Sequence, residues 1–249
     1  MNQFNNPAAQ SASTDAGLRT FLLGTYKYMG MAMLVSMVVA WGFGNYVLID
    51  ATSQNGLSAI GNLMYSPMAA IGLTIGIIFA FGAVGRKLTT MSVGSVKVFL
   101  FGFAAVMGIW LSSIAVFADP MIAAKVFFMA TAAFAGVSLF GYVTKKDLGA
   151  VAKVAIMVFI GFIAIMLLGM VFPSMAITQG GGLYLAINVI ALIAICVITA
   201  WETQQLKRIY YGTVDNPEMA EKMSVYGAAS LLLSFINIFS ILMNIFSSR

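Results

Sequence analysis

Seven long apolar stretches, separated by short polar segments, run through almost the whole chain, near residues 28–49, 64–85, 98–118, 121–142, 152–172, 182–201 and 226–246. Each reaches the roughly 20 residues that a helix needs to cross a hydrocarbon core about 30 Å thick. The runs are continuous, as in Phe99–Ile109 and Ile187–Ala200, without the two-residue alternation of barrel strands. Backbone amides must be satisfied internally in lipid. The pattern therefore predicts an all-α integral membrane protein, a seven-transmembrane helix bundle. Residues 1–20 are rich in Asn, Gln, Ser, Thr and Ala. They lack the apolar mass to fold alone and are expected to form a flexible polar tail, leaving 21–249 as the transmembrane domain. The first span is too long for a signal-peptide core and no small-residue cleavage site follows it, so it reads as an uncleaved helix.

Composition agrees. The chain is 61% hydrophobic and 8% charged, with a mean hydropathy of +0.97, where soluble domains carry about 25% charged residues. The sole cysteine, Cys196, lies in the sixth span, and histidine is absent. An internal disulfide and a Cys/His metal site are thereby excluded. So is the usual side-chain switch near neutral pH, and any such response must come from a carboxylate or a lysine. Eighteen methionines read as flexible apolar packing.

Charge supplies the orientation. Arg19 and Lys27, then Arg86, Lys87 and Lys97, then Lys145, Lys146 and Lys153, then Lys207, Arg208 and Lys222 fall on one side of the seven spans, while the opposite side holds only Lys125 and Arg249. Basic loops stay in the cytoplasm, which predicts a cytoplasmic N-terminus and an external C-terminus. The net charge of +5 then reflects topology, and its partner is the lipid bilayer, with no nucleic acid implied. Pro120 marks the turn between the third and fourth spans, Pro173 closes the fifth, and Gly180–Gly182 open the sixth. Gly72 and Gly76 have the small-xxx-small spacing that permits close helix approach. No half-repeat of the kind many transporters show is visible, which counts against a small-solute transporter.

Candidate chemistry rests on few residues. Asp15, Asp50, Asp119, Asp147, Asp215, Glu218 and Glu221 fall in the tail or loops and are expected to be solvated. Glu202 follows Val197–Trp201 directly, at the cytoplasmic mouth of the sixth span. There, desolvation and nearby cations compete to set a proton affinity; the plainer alternative is a helix-end carboxylate facing water. The seventh span carries Ser230, Ser234 and Asn237 at i, i+4 and i+7 on one helix face, with Ser240 and Asn244 slightly round from it. Such a stripe faces protein or a water-filled cavity. It serves either interhelical hydrogen bonding or a polar path. Arg86 closes the second span as a snorkelling anchor, or pairs with Glu202 as a latch opened by protonation. The seventh span lacks a lysine for a retinal Schiff base. No serine–histidine pair, Walker A loop or pair of membrane aspartates is present, so no enzyme is expected.

Three segments, Gly136–Gly149 (GVSLFGYVTKKDLG), Ala200–Arg208 (AWETQQLKR) and Leu233–Phe239 (LSFINIF), resemble the signatures of the Bax inhibitor-1 family, in the family's order and spacing. The resemblance covers roughly 20–249 and implies six helices around a central seventh. It implies a bacterial inner-membrane protein, and bacterial members resemble pH-sensitive calcium leak channels. Others instead bind and restrain a membrane-anchored AAA protease, for which the 1–20 segment would offer a grip. Eukaryotic members are associated with protection from cell death. In conducting members two aspartates sense protons; Glu202 and Ser234 stand at the matching positions here, and Arg86 is carried over by location only. With one carboxylate, sensing would fall to Glu202. Calcium, as transported ion, would bind there only weakly. No other cofactor is implied.

Overall fold

The computed structural model describes residues 7–50, 53 and 56–247, with side chains from residue 16 onward. Eight α-helices make up the architecture: α1 (Pro7–Phe43), α2 (Ala59–Met64), α3 (Pro67–Lys87), α4 (Val93–Phe117), α5 (Pro120–Val143), α6 (Gly149–Val171), α7 (Gly182–Thr213) and α8 (Pro217–Ser247). Seven of them are long and apolar enough to cross a membrane. Among the described residues no strand forms, and Ile49 and Leu57 make one isolated antiparallel bridge. The protein is thus a multi-pass membrane protein of the expected all-α class.

Local chemistry sets the helix starts. The side chains of Ser66, Ser92 and Asp119 accept from the amides of Ala69, Ser95 and Met121, satisfying donors that the first helical turn leaves open. Pro67 and Pro120 sit in the first turn, where a missing N–H costs nothing. Gly180 enters α7 at φ +81°, a left-handed conformation that favours glycine.

Two helices run past their expected ends. Helix α7 continues to Thr213, because Thr203-Gln204-Gln205-Leu206-Lys207 is a good helix-forming run that nothing interrupts. Helix α1 begins at Pro7, and Leu18 is buried in the core. The boundary expected at 20 therefore falls within helical backbone. Residues 1–6, the side chains of 7–15 (Asp15 among them) and Arg249 lie outside the described residues.

Burial ranks the helices. Within its most apolar window α8 is 61% buried, against 39% for α7 and 6% for α3 and α6. Helix α8 packs on α1, α4, α5 and α7, while α6 lies against α7 and α3. The seventh span is thus the axis of the bundle. Close approach depends on small residues, but not on the expected pair: a Cβ at Gly72 or Gly76 would meet nothing within 4 Å. Those glycines face outward on α3, which with α6 is the least buried of the spans. Contact is instead tight at Gly141, whose Cβ would overlap the Ala200 carbonyl of α7, at Gly108 against Ser36 of α1, and at Gly227 against Leu206. Without a hydrophobic drive between helices in lipid, such backbone proximity carries packing.

Gly141→Ala is expected to destabilise the fold by about 1–3 kcal/mol through overpacking. Gly72→Ala is expected to be neutral or to gain up to about 1 kcal/mol from helix propensity. Thermal unfolding in detergent distinguishes the two.

Candidate functional site

Helices α7 and α8 run antiparallel, and Ala194, Ile198, Leu231, Phe235 and Ile238 fill the core around them. In this setting one carboxylate is conspicuous. Glu202 extends from α7 to α8, where the Ser234 hydroxyl donates to one of its oxygens at 2.6 Å and the Ser230 hydroxyl donates to the other. Residues four apart lie one above the other on a helix, so both hydroxyls reach the same acceptor. Each carboxylate oxygen takes one charge-assisted bond, the stronger kind.

Helix α7 runs on past Glu202 for eleven residues, to Thr213, roughly 16 Å at the helical rise. The immediate surroundings of Glu202 are closed on the basic side, where Leu206 fills the gap left by Gly227. Tyr226 feels the Glu202 charge and donates its own hydroxyl to the Phe81 carbonyl of α3 at 3.2 Å. Tyr226 was not singled out as a functional residue. Its signal was its place one helical turn before Ser230 on the polar face.

The structure brings together Glu202, Ser230 and Ser234 and leaves the other two candidates apart. Asn237, half-buried, lies one turn further along α8. Arg86 is exposed at the end of α3, and its Nε donates to the Gly82 carbonyl of its own helix at 3.1 Å. The described ion pairs are Lys97–Glu221, Arg208–Asp147 and Lys222–Glu218. Arg86 and Glu202 are in none of them; of the two readings of Arg86, its pairing with Glu202 is not formed, and Glu202 is held by hydroxyls instead. Among the described residues no group of three or more His, Cys, Asp or Glu could hold a metal ion.

Several acids expected to be solvated have partners. Asp119 caps α5. Glu221 of α8 pairs with Lys97 of α4 at 2.7 Å and accepts from Tyr28 of α1 at 3.0 Å. Glu218 pairs at 2.8 Å with Lys222, whose side chain is only 6% exposed. Buried Thr25 and Ser224 meet at 2.9 Å. On the α5–α6 loop, Asp147 accepts from the Gly149 amide and from Arg208, each at 2.9 Å. Gln204 takes the Lys146 carbonyl and the Leu148 amide. The Gly149 amide first, then the Arg208 guanidinium, hold the Asp147 carboxyl below the usual carboxylate range. These contacts fasten α1, α4, α8 and α7 at the basic end of the bundle.

Comparison with known proteins places the chain. The family model described as inhibitor of apoptosis-promoting Bax1 matches residues 18–249. An uncharacterized protein of Rickettsia prowazekii is 27% identical over 242 residues, covering 97% of this chain and 94% of the relative. A Deinococcus radiodurans protein is 40% identical over 67 residues, 27% of this chain and 29% of its own length.

Ser234→Ala is expected to cost about 1.5–3 kcal/mol, the range for a hydrogen bond to a charged group, with Ser234→Thr milder; thermal unfolding reads both. A depressed carboxyl contributes stability above its unfolded pKa and loses it as pH falls through the folded value. A spin label at Thr144 should therefore stay ordered at neutral pH and loosen only below the usual carboxylate range. Asp147→Asn should loosen it at pH 7.

Proposed function

This chain belongs to the Bax inhibitor-1 family, and from that premise we propose that it is a pH-modulated leak for calcium or a related cation, gated where α7 meets α8. One observation carries the reading: a carboxylate deep in the bundle is held to the axial helix only by Ser230 and Ser234. An ionised carboxylate accepts at both oxygens; once protonated it carries a donor of its own and loses the charge that strengthens both bonds. Proton uptake thus weakens the brace and releases α8 from α7. The Ser230 and Ser234 hydroxyls bond the carboxylate, and the Tyr226 phenol, one turn of α8 before Ser230, is bonded to the Phe81 carbonyl; in this reading the carboxylate is the group that answers to pH.

The polar face of α8 supplies the path, with Ser230, Ser234 and Asn237 spaced along it. Calcium takes 6–8 oxygen ligands in a stable site. One carboxylate and two hydroxyls fall short of that and suit a passing ion better than a resident one. The basic loops orient the chain in a bacterial inner membrane with its N-terminus in the cytoplasm and its C-terminus outside. Arg86 anchors α3 at that surface.

The same two bonds support a second reading. Both carboxylate oxygens are already satisfied by α8, which equally describes a static brace in a non-conducting protein. Such a protein would act by binding a membrane-anchored AAA protease.

Calcium flux into proteoliposomes at pH 6, 7 and 8 separates the two. In the leak reading, wild-type flux rises as the carboxylate takes up its proton, by at most about tenfold per pH unit for one proton. Glu202→Gln flattens the profile, and Ser234→Asp widens it by creating a coupled pair. No flux from any folded variant overturns the leak and favours the protease partner, to be sought by extraction in mild detergent with and without residues 1–20.

A further inference from the structure

A crevice of about 530 Å³ separates α1 from α5 on the basic half of the bundle, lined by Arg19, Leu22, Leu23 and Tyr26 of α1 and by Thr131, Phe134, Ala135, Ser138, Leu139 and Tyr142 of α5. Its walls are graded. The Tyr26 and Phe134 rings meet edge to face, with centroids 6.5 Å apart, and close its deep end. Leu22, Leu23, Ala135 and Leu139 make its middle apolar. Arg19 and Tyr142 stand at its shallow end, where the Lys207 ammonium of α7 lies 5.3 Å from the Tyr142 ring centroid and donates to the Tyr142 carbonyl at 3.5 Å.

One more feature lies within the apolar stretch, one helical turn in from the cationic mouth. Ser138 is 4% exposed, and its hydroxyl has no hydrogen-bond partner in the protein. A buried hydroxyl left unmatched costs about 1–3 kcal/mol, so the position calls for an oxygen from outside the chain. Ser138 is four residues deeper along α5 than Tyr142, about 6 Å at the helical rise. From Tyr142 to Thr131 the crevice runs about 16 Å along the same helix.

We propose that this crevice holds one anionic phospholipid of the leaflet facing the basic loops. Its phosphate lies between Arg19 and Lys207, a glycerol-ester oxygen accepts from Ser138, and an acyl chain lies along Leu22, Ala135 and Phe134. The order of chemistries matches the ligand: cations at headgroup depth, a hydroxyl donor at ester depth, apolar walls below. Pockets on the cytoplasmic face that combine cations with a gap between spans suit anionic headgroups, whereas a zwitterionic lipid gains little from the cations. A soluble anion would leave the apolar walls formed by Leu22, Leu23, Ala135 and Leu139 unmatched.

Native mass spectrometry of the full-length protein, delipidated in mild detergent and titrated with phosphatidylglycerol or phosphatidylcholine, tests this. One phosphatidylglycerol should be retained in preference to phosphatidylcholine and should survive excess inorganic phosphate. Joint Arg19→Gln and Lys207→Gln substitution should weaken retention by about thirtyfold, from the contribution of two cations near an anionic group. Ala135→Trp, at an exposed wall position, should abolish it by filling the gap while leaving the melting temperature unchanged. Equal retention of both lipids, displacement by phosphate, or undiminished binding in the folded variants would each overturn the proposal. Lys125→Gln, on the opposite side of the bundle, should change nothing.

Discussion

A negative charge in the interior of a membrane bundle is tolerated only where something compensates it, and the chain compensates Glu202 from one direction only. No cation pairs with it among the described residues; both oxygens are taken by hydroxyls of α8. Removing either hydroxyl would leave a carboxylate oxygen without its bond, and removing the carboxylate would leave the buried Ser234 and half-buried Ser230 hydroxyls without theirs. The three side chains are therefore mutually dependent. They join the two most buried helices of the bundle, α7 and α8.

The rest of the molecule divides around that bond. Toward the basic end, α8 is tied by Glu221 to Lys97 and Tyr28 and by Ser224 to Thr25, while α7 is tied by Gln204 and Arg208 to the α5–α6 loop. Further along, Leu232, Phe235, Ile236 and Phe239 of α8 line an apolar crevice with α1, α4 and α5. Gly227 is seated against Leu206 just on the basic side of the brace, which keeps α7 and α8 in close contact there.

Much of this was legible in the residues. Continuous apolar runs announce spans because lipid leaves the backbone no alternative. The polar stripe on the last span announces an interior helix because serines and asparagine are costly against acyl chains. Helix ends were less legible. Lipid thickness sets where hydrophobicity stops, not where hydrogen bonding stops, so α7 carries its helix through Gln204 and Lys207 and places Glu202 well inside it. The partners of the surface acids were hidden for a different reason. Glu221 with Lys97, and Asp147 with Arg208, are separated by 124 and 61 positions, and spacing along the chain says nothing about which loops meet. Glycines misled in the same way: the regular pair Gly72 and Gly76 faces outward, while Gly141, with no small partner at that spacing, touches the Ala200 backbone.

The two departures at the paired positions compensate one another. Glutamate in place of aspartate lengthens the α7 side chain by one methylene, and serine in place of aspartate shortens the α8 side chain by about as much, so the gap between helices is still bridged. What changes is the electrostatics. Two carboxylates so close cannot both ionise and must share a proton, coupling their titrations. A carboxylate facing two hydroxyls has no such conflict: its ionised form is the one the neighbours stabilise, and a single proton ends the arrangement. In the proposed reading, the site exchanges the coupled two-proton response that the family resemblance implies for an uncoupled one, and the pH profile belongs to one residue alone.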